Sequence, residues 1–311
     1  MFFKDKILQE EDLKLKIGFF HLSSCSGCQV AFLDMFEKVV EFLDTVELVY
    51  SNLLTRKKEI PSLDVAFVEG ALCVEESSHL RLIKEINEKT KLIVSVGACA
   101  SFGGIRRLSC GNQMPQPQHA SFVPLTEIEL IRNKLKYAIP GCPPNPHNFL
   151  STVLYFLTFK KLPPTDKFGR PLFAYGRKVH DHCERRPHFD EGRYAEQFGD
   201  VGHRLGFCLY KVGCKGPETY SNCPVIRFND VEVWPVSVGN GCYGCTEPNF
   251  WDTMTPFHKR LPNVKIPGGK GIQASATEIG KAALGVTAAA VAIHAGVGIA
   301  KRLATGSKSE E

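Results

Sequence analysis

The sequence predicts a doubly wound parallel α/β domain, followed by an irregular cysteine-rich domain and a single apolar helix. Three observations carry this reading. From residue 16 to about 160, short apolar runs alternate with stretches of helical periodicity. After Lys161 that periodicity fades into Gly, Pro, Asn and aromatic residues. The last forty residues contain a long run without a charge.

In order, the first element is the apolar strand Lys16 to Leu22, which runs straight into Cys25-Ser-Gly-Cys28. A helical pattern opens at Val30, with Phe32, Leu33, Phe36, Val39, Val40 and Phe42 mostly on one face. Four more runs, at 45–50, 65–71, 91–98 and 137–142, read as strands buried on both faces. Helices are expected at 76–89, 126–136 and 146–159 between and after them. Five strands with intervening helices point to a flavodoxin-like sheet, whose ligands gather at the carboxyl edge. Three of the strands end in cysteine: Cys25 and Cys28 after the first, Cys99 after the fourth, Cys142 after the fifth. Strands one, four and five do not all adjoin, yet their ends share one edge, so four thiolates can converge there. Gly97, Gly103, Gly104 and Gly141 let backbone come close to whatever they hold. Pro143 and Pro144 end the last strand. Taken alone, Cys-x2-Cys fits a redox dithiol, half a zinc site or two ligands of an iron–sulfur cluster.

Bulk composition narrows the field. The chain has 311 residues, 43% hydrophobic and 23% charged, as an ordinary folded protein does. A net charge of +5 with no basic stripe gives no ground for a nucleic-acid partner. Twelve cysteines at strand ends and in Gly/Pro loops favour metal ligation over a secreted disulfide scaffold. The opening residues, MFFKDKILQEEDLKLK, lack the apolar core of a secretory signal, so no side of a membrane is assigned.

Residues 163–270 bury little by periodic packing and need a staple. Seven candidate ligands supply it: His180-x2-Cys183, Cys208-x5-Cys214, Cys223, and Cys242-x2-Cys245. A pair of zinc knuckles is the alternative, but zinc ribbons favour paired Cys-x2-Cys units and only one group has that form. From Ala282 to Ala300 the chain carries no charge and holds His294 at mid-depth. As a helix this run spans roughly 28 Å, about one hydrocarbon thickness. A buried soluble helix is the other reading of so Ala- and Gly-rich a segment.

The constellation resembles a known family. Cys25-Ser-Gly-Cys28, VEGA at 68–71, GACASFGG at 97–104 and PGCPPNP at 140–146 resemble the proximal-cluster domain of nickel–iron hydrogenase small subunits. HDHC at 180–183, Cys208, Cys214, NCPVIRFN at 222–229 and GCYGCTEPNFWD at 241–252 are similar to that family's second cluster-binding domain. The resemblance implies a proximal 4Fe-4S cluster on Cys25, Cys28, Cys99 and Cys142. It implies a distal 4Fe-4S cluster on His180, Cys183, Cys208 and Cys214, and a medial 3Fe-4S cluster on Cys223, Cys242 and Cys245. The family places a proline where a fourth medial ligand would fall, and Trp234-Pro235 matches; water, Asp230 or Glu232 is the competing fourth ligand. Gly27 and Gly104 stand where oxygen-tolerant members carry extra cysteines, which implies the ordinary proximal type.

The expected organisation is therefore a flavodoxin-like domain at 1–162, a cluster-stapled domain at 163–270 and a helix with tail at 271–311. The resemblance implies a chain that relays electrons between a nickel–iron large subunit and an acceptor such as a membrane cytochrome b, with association through the terminal helix. No residue of this chain is expected to be catalytic itself. The rivals are the cluster-bearing subunit of a quinone reductase, which lacks the 180–245 ligands, and a zinc-stapled structural protein. Cys73 and Cys110 are expected as small buried residues. Glu69, a carboxylate ending a buried strand, is expected either to bond nearby backbone or to make a polar contact near the proximal site or a partner. His119 reads as a loop or interface residue.

Overall fold

The computed structural model describes residues 14–57, 59–110, 122–228, 231–248, 250, 264–265, 273–274 and 276–306. It divides into two units, Met1–Lys259 and Arg260–Glu311.

The first unit is built on five parallel strands: β1 Leu15–His21, β2 Val46–Ser51, β3 Leu63–Glu69, β4 Thr90–Val96 and β5 Leu135–Ile139. Their spatial order is β2-β1-β3-β4-β5, the flavodoxin-like order with its reversal between β1 and β3. Alternation along β1 sends Ile17 and Phe19 to one face and Phe20 and Leu22 to the other. On the first face Phe149 meets Phe19, Phe32, Phe42 and Phe67 with ring centroids 5.4, 5.1, 5.9 and 4.4 Å away. Phe149 belongs to helix α5, Pro146–Phe159, whose N-cap Asn145 accepts the His147 N–H. Emptying such an aromatic site costs about 3–5 kcal/mol. The second face is closed by α3, Ser77–Lys89, through Ile83 and Ile86.

Two helical expectations need correction. The helix after β1 starts at Gly27, ends at Leu33 and resumes as α2 over Glu37–Thr45; the first piece is α1. Phe36, with φ 52°, sits at the break. The break rephases the apolar face, so Met35 is buried while Phe36 and Val40 are exposed. The stretch 126–136 is not a helix but two 3-10 turns, Leu125–Glu127 and Glu129–Ile131, and β5 begins at Leu135. Its apolar residues, Leu125, Ile128 and Ile131, recur every third position, which is the 3-10 and not the α period.

Beyond α5 the first unit continues as short turns around a third apolar core. Val179, Leu209, Val212, Trp234 and Val236 pack there together with Cys214. In the second unit a helix runs over Ala276–Gly306, longer than the uncharged stretch alone. Its segment Lys281–Ala300, mean hydropathy 1.8, is long and apolar enough to cross a membrane.

Candidate metal centres

The sheet places the first group of thiols. Cys25 precedes α1 and Cys28 lies in its first turn, while Cys99 lies in α4, Gly97–Phe102, directly after β4. Cys142 follows β5, and the Ala98 N–H donates to the Gly141 carbonyl at 2.7 Å, tying the two loops together. The four thiols sense one another. Burial raises the Cys142 thiol to about 11, with Cys99 and Cys25 adding to the rise. Burial also pushes Cys28 well up, helped by Glu69 and then by Cys99 and Cys142. Gly97, at φ 88°, has a steric reason to be glycine: a Cβ there would stand 2.4 Å from the Cys28 sulfur.

Glu69 is buried beside this group. It bonds side chains rather than backbone: Gln29 Nε2 donates to Oε1 at 3.0 Å, and the Cys28 thiol is its other neighbour. Ser51 holds the far side of Gln29 through a 3.4 Å bond to Oε1. Sequence reading missed Gln29 and Ser51; the one signal for Gln29 was its place next to Cys28. Cys73 is not the buried residue expected. It is half-exposed, and its sulfur donates to Glu75 at 3.5 Å. The side chain of Cys110, together with His119 and Asp230, lies outside the described residues.

A second group lines one pocket, whose walls include His180, Cys183, Cys208 and Cys214. His180 sits on the 3-10 turn Val179–His182, edge-on to Phe189 at 4.5 Å. Its buried Nε2 has no hydrogen-bond partner, and burial lowers its pKa. A neutral, unsatisfied imidazole nitrogen is what a metal ligand requires. Burial raises Cys183 to about 11 and Cys208 to about 12, with Cys214 adding to each.

The third group is Cys223, Cys242 and Cys245. Cys223 opens the short helix Cys223–Ile226 and meets the Ser221 hydroxyl at 3.0 Å. Burial, then Cys223, raises Cys245 to about 12. Trp234 is buried here with an unpartnered indole N–H. Glu232 is exposed, unlike the residues of this group.

Two contacts order the groups. Cys245 is an electrostatic neighbour of Cys142 of the first group, and Cys214 of the second accepts the Cys242 N–H at 3.2 Å. Among the described residues no three Cys, His, Asp or Glu side chains converge closely enough for one metal ion. Ligands of a multi-iron cluster each meet a different iron and so stand farther apart than the four around one zinc. The donor sets, the orphaned His180 nitrogen and the glycine cradle at Gly97 fit clusters.

Comparison with known proteins follows this division. Residues 25–156 match the family model "NADH ubiquinone oxidoreductase, 20 Kd subunit". Residues 175–258 match the model for the C-terminal part of the NiFe/NiFeSe hydrogenase small subunit. The quinone-reactive Ni/Fe-hydrogenase small chain of Wolinella succinogenes is 35% identical, over 91% of this chain and 85% of that protein. The chain belongs to the nickel–iron hydrogenase small subunits. The hydrogenase-2 small chain of Escherichia coli K12 is 37% identical, over 88% of this chain and 79% of that one. The hydrogenase structure from Desulfomicrobium baculatum shares the fold, with TM-score 0.68 and 24% identity, covering 80% of this chain and all of that chain. As a hydrogenase small subunit the chain pairs with a nickel–iron large subunit, carries iron–sulfur clusters and relays electrons. The match over 175–258 separates it from a quinone-reductase subunit, to which only its first half is similar.

Proposed function

We propose that this hydrogenase small subunit holds three clusters in sequence. Cys25, Cys28, Cys99 and Cys142 would hold the proximal 4Fe-4S cluster. Cys223, Cys242 and Cys245 would hold a medial 3Fe-4S cluster. His180, Cys183, Cys208 and Cys214 would hold the distal 4Fe-4S cluster. The observation that carries this reading is the pairing of ligands across groups: Cys245 beside Cys142, and Cys242 beside Cys214. A serial arrangement needs a ligand of each outer group to stand near a ligand of the middle one. The bound clusters supply one-electron carriers.

The chain's own residues do the rest. Buried cysteines with raised thiol pKa values release their protons on loading, so ligation couples to folding of the irregular region. Val179, Leu209, Trp234 and Val236 exclude water around the second and third groups. Neutral His180 carries one negative charge fewer than a thiolate, which suits a less negative exit site. We further propose that residues 1–162 and 163–270 act as the proximal and the medial–distal domains. The helix of the region 271–311 would anchor the complex beside a membrane electron acceptor such as a cytochrome b.

Anaerobic purification with the large subunit, followed by metal and labile-sulfide analysis, tests the assignment. About eleven iron atoms and about twelve sulfides per small subunit, besides the iron of the nickel–iron centre, is the expected result for this cluster set. Zinc without sulfide would overturn it.

A further inference from the structure

One peptide unit, Gly241-Cys242, joins the third ligand group to the second. Cys242 belongs to one group while its backbone N–H donates to a cysteine sulfur of the next, Cys214 Sγ at 3.2 Å.

The bond is not local: Cys214 and Cys242 lie 28 residues apart, and the donor is itself a candidate ligand of another group.

The contact is doubled: the Cys242 carbonyl accepts the Lys215 N–H at 2.7 Å, next to Cys214. The approach leaves little room at Gly241. A Cβ there would lie 3.0 Å from Cys214 Cα and 3.2 Å from both its N and its Cβ, so a side chain would push the two segments apart by a few tenths of an ångström. Gly241 is not among the glycines with positive φ, so its conformation suits other residues and only the close approach disfavours them.

We propose that the Gly241-Cys242 peptide is a built joint of the relay, setting the next group's sulfur by an amide hydrogen bond, with Gly241 as its positioning residue. An N–H donor stabilises added electron density on a ligand sulfur and so raises the potential of the cluster it holds. The same bond brings two ligands of different clusters to hydrogen-bond distance, shortening the gap an electron must cross. The proposal rests on the ligand assignment above.

The test compares the intact heteromeric complex with Gly241→Ala, using redox titration followed by EPR. The expected result is a negative shift of the distal potential in the variant, an unchanged proximal potential, and several-fold slower reduction of external dyes. Iron and sulfide are measured on the same samples. Full cluster content with an unshifted distal potential overturns the joint and leaves the ligand assignment standing. A native complex that contains no distal cluster overturns the ligand assignment, and the joint with it. If Gly241→Ala does not assemble, the native complex decides. With 15N-labelled cysteine in D2O, pulsed EPR of the reduced distal cluster should resolve one cysteine N–D at hydrogen-bond distance from a ligand sulfur. Absence of that cysteine signal overturns the proposal.

Discussion

Gln29 Nε2 donates to Glu69 Oε1 at 3.0 Å, joining the helix after the Cys25–Cys28 turn to the end of β3. Both side chains are buried. A buried carboxylate that loses its donor bears the desolvation cost alone, about 1–3 kcal/mol or more for a charged group. Gln29→Leu should therefore lower the thermal midpoint of the complex, whereas the pair Gln29→Leu with Glu69→Leu should recover most of the loss. A double variant no better than Gln29→Leu alone would show that Glu69 is held by something other than this pairing.

Arg170 plays the equivalent part in the second half. It is 3% exposed, pairs with Asp166 at 2.7 Å and Glu247 at 2.9 Å, and donates to the Thr246 carbonyl at 2.8 Å, next to Cys245. Glu247 in turn accepts the Tyr220 N–H at 2.7 Å. Removing the guanidinium leaves two half-buried carboxylates without their cation; breaking a fully buried pair costs about 3–5 kcal/mol, and their partial exposure lowers that figure. Arg170→Met should markedly reduce the yield and thermal midpoint of the complex, and Arg170→Lys should restore part of both. Wild-type stability in Arg170→Met would refute the clamp.

These two networks mark where sequence reading stops. The strands were legible because both faces of the sheet are buried, so each strand is a mostly apolar run. The cysteines were legible because ligand spacing follows the turns that carry them. Gln29 looks like any polar residue of a surface helix, and its partners Ser51 and Glu69 become neighbours only when β1 sits between β2 and β3. Arg170 lies 77 residues before Glu247, and no local pattern marks it as buried. Phe36 and Val40 misled because a break at one positive-φ residue rotates everything after it, which periodicity alone does not register.

His180 carries the third prediction. Its unsatisfied Nε2 lies at the group farthest along the order of ligand contacts from Cys25. His180→Ala or His180→Cys should slow electron delivery to external acceptors by about tenfold or more, the scale on which altered metal-site support is felt. Exchange between H2 and water, which needs no long-range electron transfer, should persist. Collapse of exchange together with dye reduction would contradict an exit role.

The terminal helix gives the fourth. Ending the chain near residue 272 removes the segment Lys281–Ala300. The shortened complex should be soluble without detergent and reduce artificial dyes, yet fail to couple to membrane quinones. A full-length complex that is itself soluble without detergent would make the helix a packing element instead.

The last prediction concerns the group with an odd number of ligands. Between Cys223 and Cys242 the chain has neither cysteine nor histidine. Pro235 is flanked by Trp234 and Val236, both buried in the apolar core against which Cys223 and Cys242 pack. Its side chain has no donor atom for iron. Glu232, the nearest described carboxylate in sequence, is exposed and at positive φ, outside that core. A site with three thiolates and no fourth donor favours three irons over four. The oxidised complex should show a 3Fe-type EPR signal, and Pro235→Cys, which supplies a fourth sulfur, should abolish it as a fourth iron enters. The loss of one iron-free corner should also lower the medial potential, because a fourth thiolate adds negative charge in a dry site. Three 4Fe-4S clusters in the oxidised native protein, with no 3Fe signal, would sink this assignment and reopen the question of what stands at the fourth corner.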